Sequence, residues 1–270
     1  MAVEKQILHL LSMNTDISGK ELITILESMN YTPQSIRNSL SKLKKQSYIS
    51  SPKRGIYSIT ANGFEVYQLF NGKENFYEKK WDQRWHLVFI EIPEAIRKKR
   101  DAFRIKITQL GFGQLYKSVY IYPWDVTSKV LTIIDSLEIE NYVTILSSDT
   151  FHFNSISPEG GSGSNQASKI WNLNQIEQAY IEKQQYLKQT YPCKDSLVSN
   201  EPSTLLSHYL LLTEMRNELI EIDPMLPPEF LPGSWIGTHV LHSIDSSILS
   251  LIKQMPKNSP YYRYMTCPSK

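Results

Sequence analysis

The chain opens with apolar residues at helical spacing, Val3, Ile7, Leu8 and Leu11. Asn14-Thr15-Asp16 then breaks the pattern with turn-forming side chains, which predicts a short first helix. Ser18-Gly19-Lys20-Glu21 places a serine and a glutamate three apart, the spacing of a capping box, and Leu22, Ile23, Ile25 and Leu26 give a second helix its inward face. Thr32-Pro33 reads as N-cap and first-turn proline of a third helix, whose stripe Ile36, Leu40 and Leu43 runs to about Gln46. Residues 48–50 and 56–59 are short strand patterns around Pro52-Lys53-Arg54-Gly55, a hairpin tip, and Thr60 is placed to cap a closing helix through Leu69. Three helices followed by a hairpin predict a winged helix-turn-helix over residues 1–72.

From Trp85 the pattern changes. Residues 86–93 form an apolar run bounded by proline, a buried strand, and a helix over 94–110 follows with Ile96, Phe103, Ile107 and Leu110 inward. Gly111-Phe112-Gly113 ends it with glycine at the expected cap. Strands near 114–116 and 118–122, a helix from about 125 to 137 and a strand at 142–146 complete the order βαββαβ. That order predicts a ferredoxin-like domain over 80–156, with two helices on one face of the sheet and the other face free to pair with a partner. Residues 158–165, Pro-Glu-Gly-Gly-Ser-Gly-Ser-Asn, have linker composition. Helical patterns then occupy 169–189, 204–222 and 238–253, separated at 223–232 by a stretch with four prolines that cannot be helix, so a helical C-terminal domain is expected over 166–270. The fold class is α+β.

With 41% hydrophobic residues over 270 positions the chain has material for ordinary globular cores. Two cysteines, Cys193 and Cys267, build neither a disulfide scaffold nor a tetrahedral zinc site by themselves and suit a reducing compartment. There is neither an eighteen-residue apolar run nor a secretory pattern at the N-terminus, and a cytoplasmic protein without a membrane partner is expected. The net charge of +2 gains meaning once mapped: no acid lies between Glu27 and Glu65, where Arg37, Lys42, Lys44, Lys45, Lys53 and Arg54 stand, so the rest of the chain is net acidic. Opposite its apolar stripe the third helix presents Gln34, Asn38, Ser41 and Lys45, flanked by Ser35, Arg37 and Lys42. Amides and hydroxyls of this kind read base edges in a major groove, while these cations, with Lys53 and Arg54 on the hairpin, neutralise phosphates. An exposed helix face is polar in any case, and some winged helices bind only proteins; the absence of acids favours double-stranded DNA. A helix-turn-helix reads half-sites one turn apart, so a twofold homodimer is expected.

Ile92-Pro93-Glu94, Arg100, Arg104, Gly111-Phe112-Gly113 and Tyr122-Pro123 occur in order with Asp223-Pro224-x-Leu226-Pro227 and Leu231-Pro232-x-x-Trp235-x-Gly237. Over nearly its whole length the chain thereby resembles the phenylacetic acid degradation repressor family (PaaX). The resemblance implies an N-terminal winged helix, a ferredoxin-like centre akin to the small CRISPR-associated nucleases and a helical C-terminal domain. It also implies repression of a catabolic operon, with release from operator DNA by an acyl-CoA effector such as phenylacetyl-CoA. Candidate effector residues are the cations Arg97, Arg100 and Arg104, suited to coenzyme A phosphates, with Trp85, Trp124 and Trp235 as aromatic walls and His239 beside them. The same cationic cluster would serve equally to extend contact along a DNA backbone, or to form a solvated helix face.

No enzyme is expected, and no cofactor. GxGxxG, GxxxxGK[ST] and HExxH are absent from the sequence. Glu91 stands near the end of the first central strand, where the CRISPR-associated proteins hold a metal, but one carboxylate makes no magnesium site. His239 and His242, three apart with Asp245 beyond, lack a third strong ligand, and no metal is predicted. The alternatives are a metal-dependent nuclease with an accessory winged helix and a winged-helix scaffold that binds proteins.

Overall fold

The computed structural model describes residues 2–13, 16–71, 76–149, 163–190 and 201–265. It is α+β with antiparallel sheets and divides into two compact units. Unit one comprises Met1–Gly72, Glu182–Glu218 and His239–Lys270, and unit two Lys73–Ile181 and Leu219–Thr238.

Unit one begins with α1 (Ala2–Met13), β1 (Ile17–Ser18), α2 (Gly19–Glu27) and α3 (Pro33–Lys45). β2 (Ile49–Ser50), β3 (Ile56–Ile59) and α4 (Ala61–Asn71) follow, and the sheet order is β1-β3-β2. The helix starts form where capping chemistry predicts them: the Ser18 hydroxyl accepts from the Glu21 N–H at 3.1 Å and the Thr32 hydroxyl from the Ser35 N–H at 3.2 Å. The capping box is only half made. The Glu21 carboxylate turns away to accept from Arg263 Nη2 at 2.6 Å and from the Tyr264 hydroxyl at 2.8 Å, binding the chain's last described turn to α2. The Thr60 hydroxyl accepts from the Gly63 N–H at 3.0 Å, and a β-carbon at Gly63 would lie 1.9 Å from the Tyr48 carbonyl oxygen, so only glycine lets α4 approach the hairpin. Ile7, Leu11, Leu22, Leu26, Ile36 and Leu43 meet in the core these helices share.

His9 is buried in this unit, with Nδ1 3.0 Å from the Tyr67 hydroxyl and Nε2 without a partner. Burial lowers its pKa from 6.5 to about 4. The unfolded chain therefore binds a proton at this ring below about pH 6.5 while the folded chain resists until about pH 4, so stability is full above that window and falls as the pH drops through it. We expect a loss of about 3 kcal/mol across the window, from about 1.4 kcal/mol for each pKa unit. Urea unfolding at pH 7.5 and 4.5 checks this: the difference between the two pH values should shrink in His9→Gln, and an unchanged difference would refute it.

Unit two carries β4 (Trp85–Ile90), α5 (Arg97–Leu110), β5 (Gly113–Tyr116), β6 (Val119–Tyr122), α6 (Thr127–Leu137) and β7 (Val143–Ser148). The sheet order is β5-β6-β4-β7 with every pairing antiparallel, Leu87 standing opposite Ile121 on one side and Leu146 on the other. β4 is thus central, which explains its nearly continuous apolar run. The strand stops at Ile90, short of the predicted end; Glu91-Ile92-Pro93 leave the sheet, and a single 3₁₀ turn at Glu94–Ile96 precedes α5. Gly111 caps α5 at φ 113°, and a β-carbon there would come within 2.5 Å of the Tyr122 ring.

The helical remainder contains α7 (Gly163–Trp171), α8 (Leu173–Thr190), α9 (Pro202–Ile222) and α10 (Gly237–Gln254). Asn172 at φ 50° breaks the single helix predicted for 169–189 into α7 and α8. Part of the expected linker, Gly163 to Asn165, is already helical, and its earlier residues, like Cys193 and Cys267, lie outside the described residues. Within this remainder Glu182–Glu218 and His239–Lys270 group with unit one, and Leu219–Thr238 with unit two. In α9, Leu205, Leu206, Leu210, Leu212 and Leu219 are all buried, a broader apolar face than the single stripe of a surface helix.

The proline-rich segment after α9 is ordered by one buried acid. Asp223, with no exposed surface, accepts from the hydroxyls of Tyr77 at 2.6 Å and Tyr180 at 2.5 Å and from the Met225 N–H at 2.6 Å. Burial, then the neighbouring Asp223, pushes the Tyr77 hydroxyl well above its ordinary pKa. The Pro224 and Met225 carbonyls accept from the Tyr122 hydroxyl at 2.8 Å and the Trp124 N–H at 2.7 Å.

Candidate nucleic-acid interface and anion cavity

The exposed face of α3 is presented by burial of the opposite one: Ile36, Leu40 and Leu43 face the core, so Gln34, Arg37, Asn38, Ser41, Lys42 and Lys45 point to solvent. Ser35 is half-buried in the first turn, its N–H committed to Thr32. Gln34 donates to the Asn38 side chain at 3.0 Å, which aligns the two amides. Gln34, Ser35, Asn38 and Lys42 line a surface groove of about 410 Å³, whereas Arg37, Ser41 and Lys45 do not. The groove also contains a residue that sequence reasoning missed. Glu4, from the first turn of α1, lies 2.8 Å from Lys42 Nζ and partly neutralises it. Its distance in sequence from the basic segment hid it, although its place one turn before Ile7 and Leu8 on a helix with a packed face was readable.

Lys53 and Arg54 are exposed at the β2–β3 turn, where Gly55 takes φ 77° and its carbonyl accepts from the Gly19 N–H at 2.8 Å. Among the described residues Arg37, Lys45, Lys53 and Arg54 form no ion pair.

Of the candidate effector residues, the structure brings Arg100 and Arg104 together. They line a cavity of about 580 Å³ with Ile90, Glu91, Ile92, Pro93, Lys117 and Asn141 among its other walls. Arg97 is not in it: this side chain lies 3.7 Å from Glu94 and 3.4 Å from Asp101 in solvent. The expected aromatic walls are not there either. Trp85 and Trp124 are buried in the core, Trp124 stacked 5.0 Å from Phe76 and Trp85 5.0 Å from Phe230, because large rings flanking a central strand are drawn to the sheet interior. Trp235 donates to the Tyr77 hydroxyl at 3.0 Å and packs edge-on to Tyr180. His239 is exposed near the start of α10. Lys117 and Asn141 escaped sequence reading, since nothing in a short turn marks which cavity it closes.

The Arg100 hydrogen bond holds the Glu94 carboxyl below its ordinary range. Glu91 lines the cavity, and among the described residues no three His, Cys, Asp or Glu side chains are grouped to hold a metal. His242 is exposed on α10, and Asp245 is engaged by Arg216. No helix of the described residues is long and apolar enough to cross a membrane.

Residues 78–159 match the family model of the PaaX protein central Cas2-like domain, and residues 171–254 that of the PaaX-like protein C-terminal domain. The transcriptional repressor PaaX of Escherichia coli (strain K12) is 22% identical over 222 residues, which cover 80% of this chain and 68% of that one. An uncharacterized protein of Mycobacterium tuberculosis, Rv0674, has a similar fold, with a TM-score of 0.57 at 16% identity over 92% of this chain and 94% of that one.

Proposed function

The chain belongs to the PaaX family, and from that premise we propose that it is a cytoplasmic, DNA-binding transcriptional repressor of a catabolic operon, phenylacetate degradation being the first candidate. On this reading it is no enzyme. Residues 1–72 form a winged helix-turn-helix, residues 80–156 a ferredoxin-like domain and residues 166–270 the C-terminal domain of the family. A homodimer presents two copies of α3 to double-stranded operator DNA. An aryl-acyl-CoA such as phenylacetyl-CoA, its phosphates met by cations of α5, binds the DNA-free state better and so releases the operator.

The observation that carries the reading is the solvent face of α3, where the paired amides of Gln34 and Asn38 stand between Arg37, Lys42 and Lys45 with Lys53 and Arg54 on the neighbouring turn. Amides give bidentate readout of a base edge and the cations neutralise phosphates. Titration of the full chain with duplex DNA from its own upstream region tests this. Asn38→Ala should relax discrimination at one base position by about 1–3 kcal/mol while leaving random-sequence binding unchanged. Adding phenylacetyl-CoA should weaken specific binding. If Asn38→Ala binds every duplex as the unaltered chain does, α3 is not the reader.

A further inference from the structure

Arg100 and Arg104 are four residues apart on α5, so their side chains lie on one face, one above the other. Two guanidinium groups at this spacing repel each other unless an anion joins them. Each Nε–H is shielded from solvent and makes no hydrogen bond, a costly state for a charged donor; the Asp101 carboxylate approaches that of Arg100 only to 3.9 Å, and no acid is paired with Arg104 among the described residues. Their other contacts leave donors over: Arg100 Nη1 gives one hydrogen bond to Glu94 at 2.7 Å, and Arg104 Nη2 gives a long one to the Lys117 carbonyl at 3.3 Å. Lys117, on the turn between β5 and β6, adds a third cation to the same cavity and Asn141 an amide. Glu91 is the one acid in the lining, which is net positive, and Ile90, Ile92 and Pro93 supply an apolar wall.

We propose that this cavity binds the phosphate group of a small organic phosphate. Two forked donors and an ammonium suit a tetrahedral dianion, since each fork takes two oxygens and a lone carboxylate would occupy only one. The volume of about 580 Å³ lies within the range of small-molecule sites and leaves room for an organic group against Ile90, Ile92 and Pro93. The site shares Arg100 and Arg104 with the effector reading but does not depend on it, because its recognition is of phosphate and not of an acyl chain.

The test uses the full chain at constant ionic strength, so that general screening is held fixed. Inorganic phosphate, pyrophosphate and phenyl phosphate are titrated by calorimetry and by thermal shift. Pyrophosphate and phenyl phosphate should bind and raise the melting temperature. Arg104→Gln and Lys117→Gln should each weaken them at least about tenfold, Arg104→Lys less, and Arg97→Gln, outside the cavity, not at all. Lys117 is on an exposed turn, so its variant reports even if Arg104→Gln does not fold. Absence of binding to the unaltered chain overturns the proposal. So does an equal loss in Arg97→Gln, which would indicate diffuse attraction to the helix. An Arg104→Gln variant weakened only toward duplex DNA also overturns it, by assigning the cations to backbone phosphates. Pyrophosphate binding without phenylacetyl-CoA binding supports this site and rejects the effector reading alone.

Discussion

Asp223→Ala should destabilise the chain by about 3–4 kcal/mol, because three donors that converge on one buried carboxylate lose their acceptor at once. The Met225 N–H is the most exposed to this loss, as Met225 holds φ 53°, a conformation that survives in a non-glycine residue only when its surroundings enforce it. Asp223→Asn retains an acceptor oxygen but turns a donor toward another donor, and about half the effect is expected. Tyr77→Phe and Tyr180→Phe should each cost about 1 kcal/mol. Urea unfolding followed by tryptophan fluorescence reads these changes well, since Trp124 and Trp235 both hydrogen-bond to members of this network. A loss below about 1 kcal/mol for Asp223→Ala would show that the proline-rich segment is held by apolar burial of Leu226 and Phe230 alone.

Replacing Arg37, Lys45, Lys53 and Arg54 together by Gln should lower affinity for every duplex about a thousandfold at 0.15 M salt. The slope of log affinity against log salt should become shallower by about 3–4, because four neutralised phosphates release their counterions. These four are chosen because none is held by an acid among the described residues, whereas Lys42 is. Lys42→Gln alone should therefore cost less than any of them. Affinities measured from 50 to 300 mM salt decide the matter, and an unchanged slope would move the DNA contact away from this surface. Both the quadruple variant and Asn38→Ala should keep the melting temperature of the unaltered chain, as all five side chains are exposed.

Much of the local structure is legible in the sequence. Ser18 and Thr32 cap α2 and α3 as their positions predict, Gly111 ends α5, and the central strands and helices follow in the expected order. Each of these depends on residues within about one turn of each other, where hydrogen-bond geometry and backbone sterics act without reference to the rest of the chain. The exposed amides and cations of α3 belong to the same class, since helical periodicity by itself places them opposite Ile36, Leu40 and Leu43.

What periodicity left open was which faces meet. The Glu21 carboxylate leaves its own helix start for Arg263 and Tyr264, and Glu4 crosses from α1 to Lys42, so a segment without a single acid in sequence acquires one in space. Trp85 and Trp124, equally able to wall a pocket or fill a core, are drawn inside by Phe230 and Phe76. Arg100 and Arg104 read as part of a cationic helix face, and only the β5–β6 turn, by bringing Lys117 and its carbonyl against them, makes a cavity of that face. The sequence alone therefore determined most of the elements, the caps at Ser18, Thr32 and Gly111 and the charge of the helix faces, through forces that act within a helical turn. Tertiary structure decided which acid meets which base, which aromatic rings are core and where cations share a cavity, because those outcomes depend on surfaces far apart in the chain being pressed together by burial of the apolar sides.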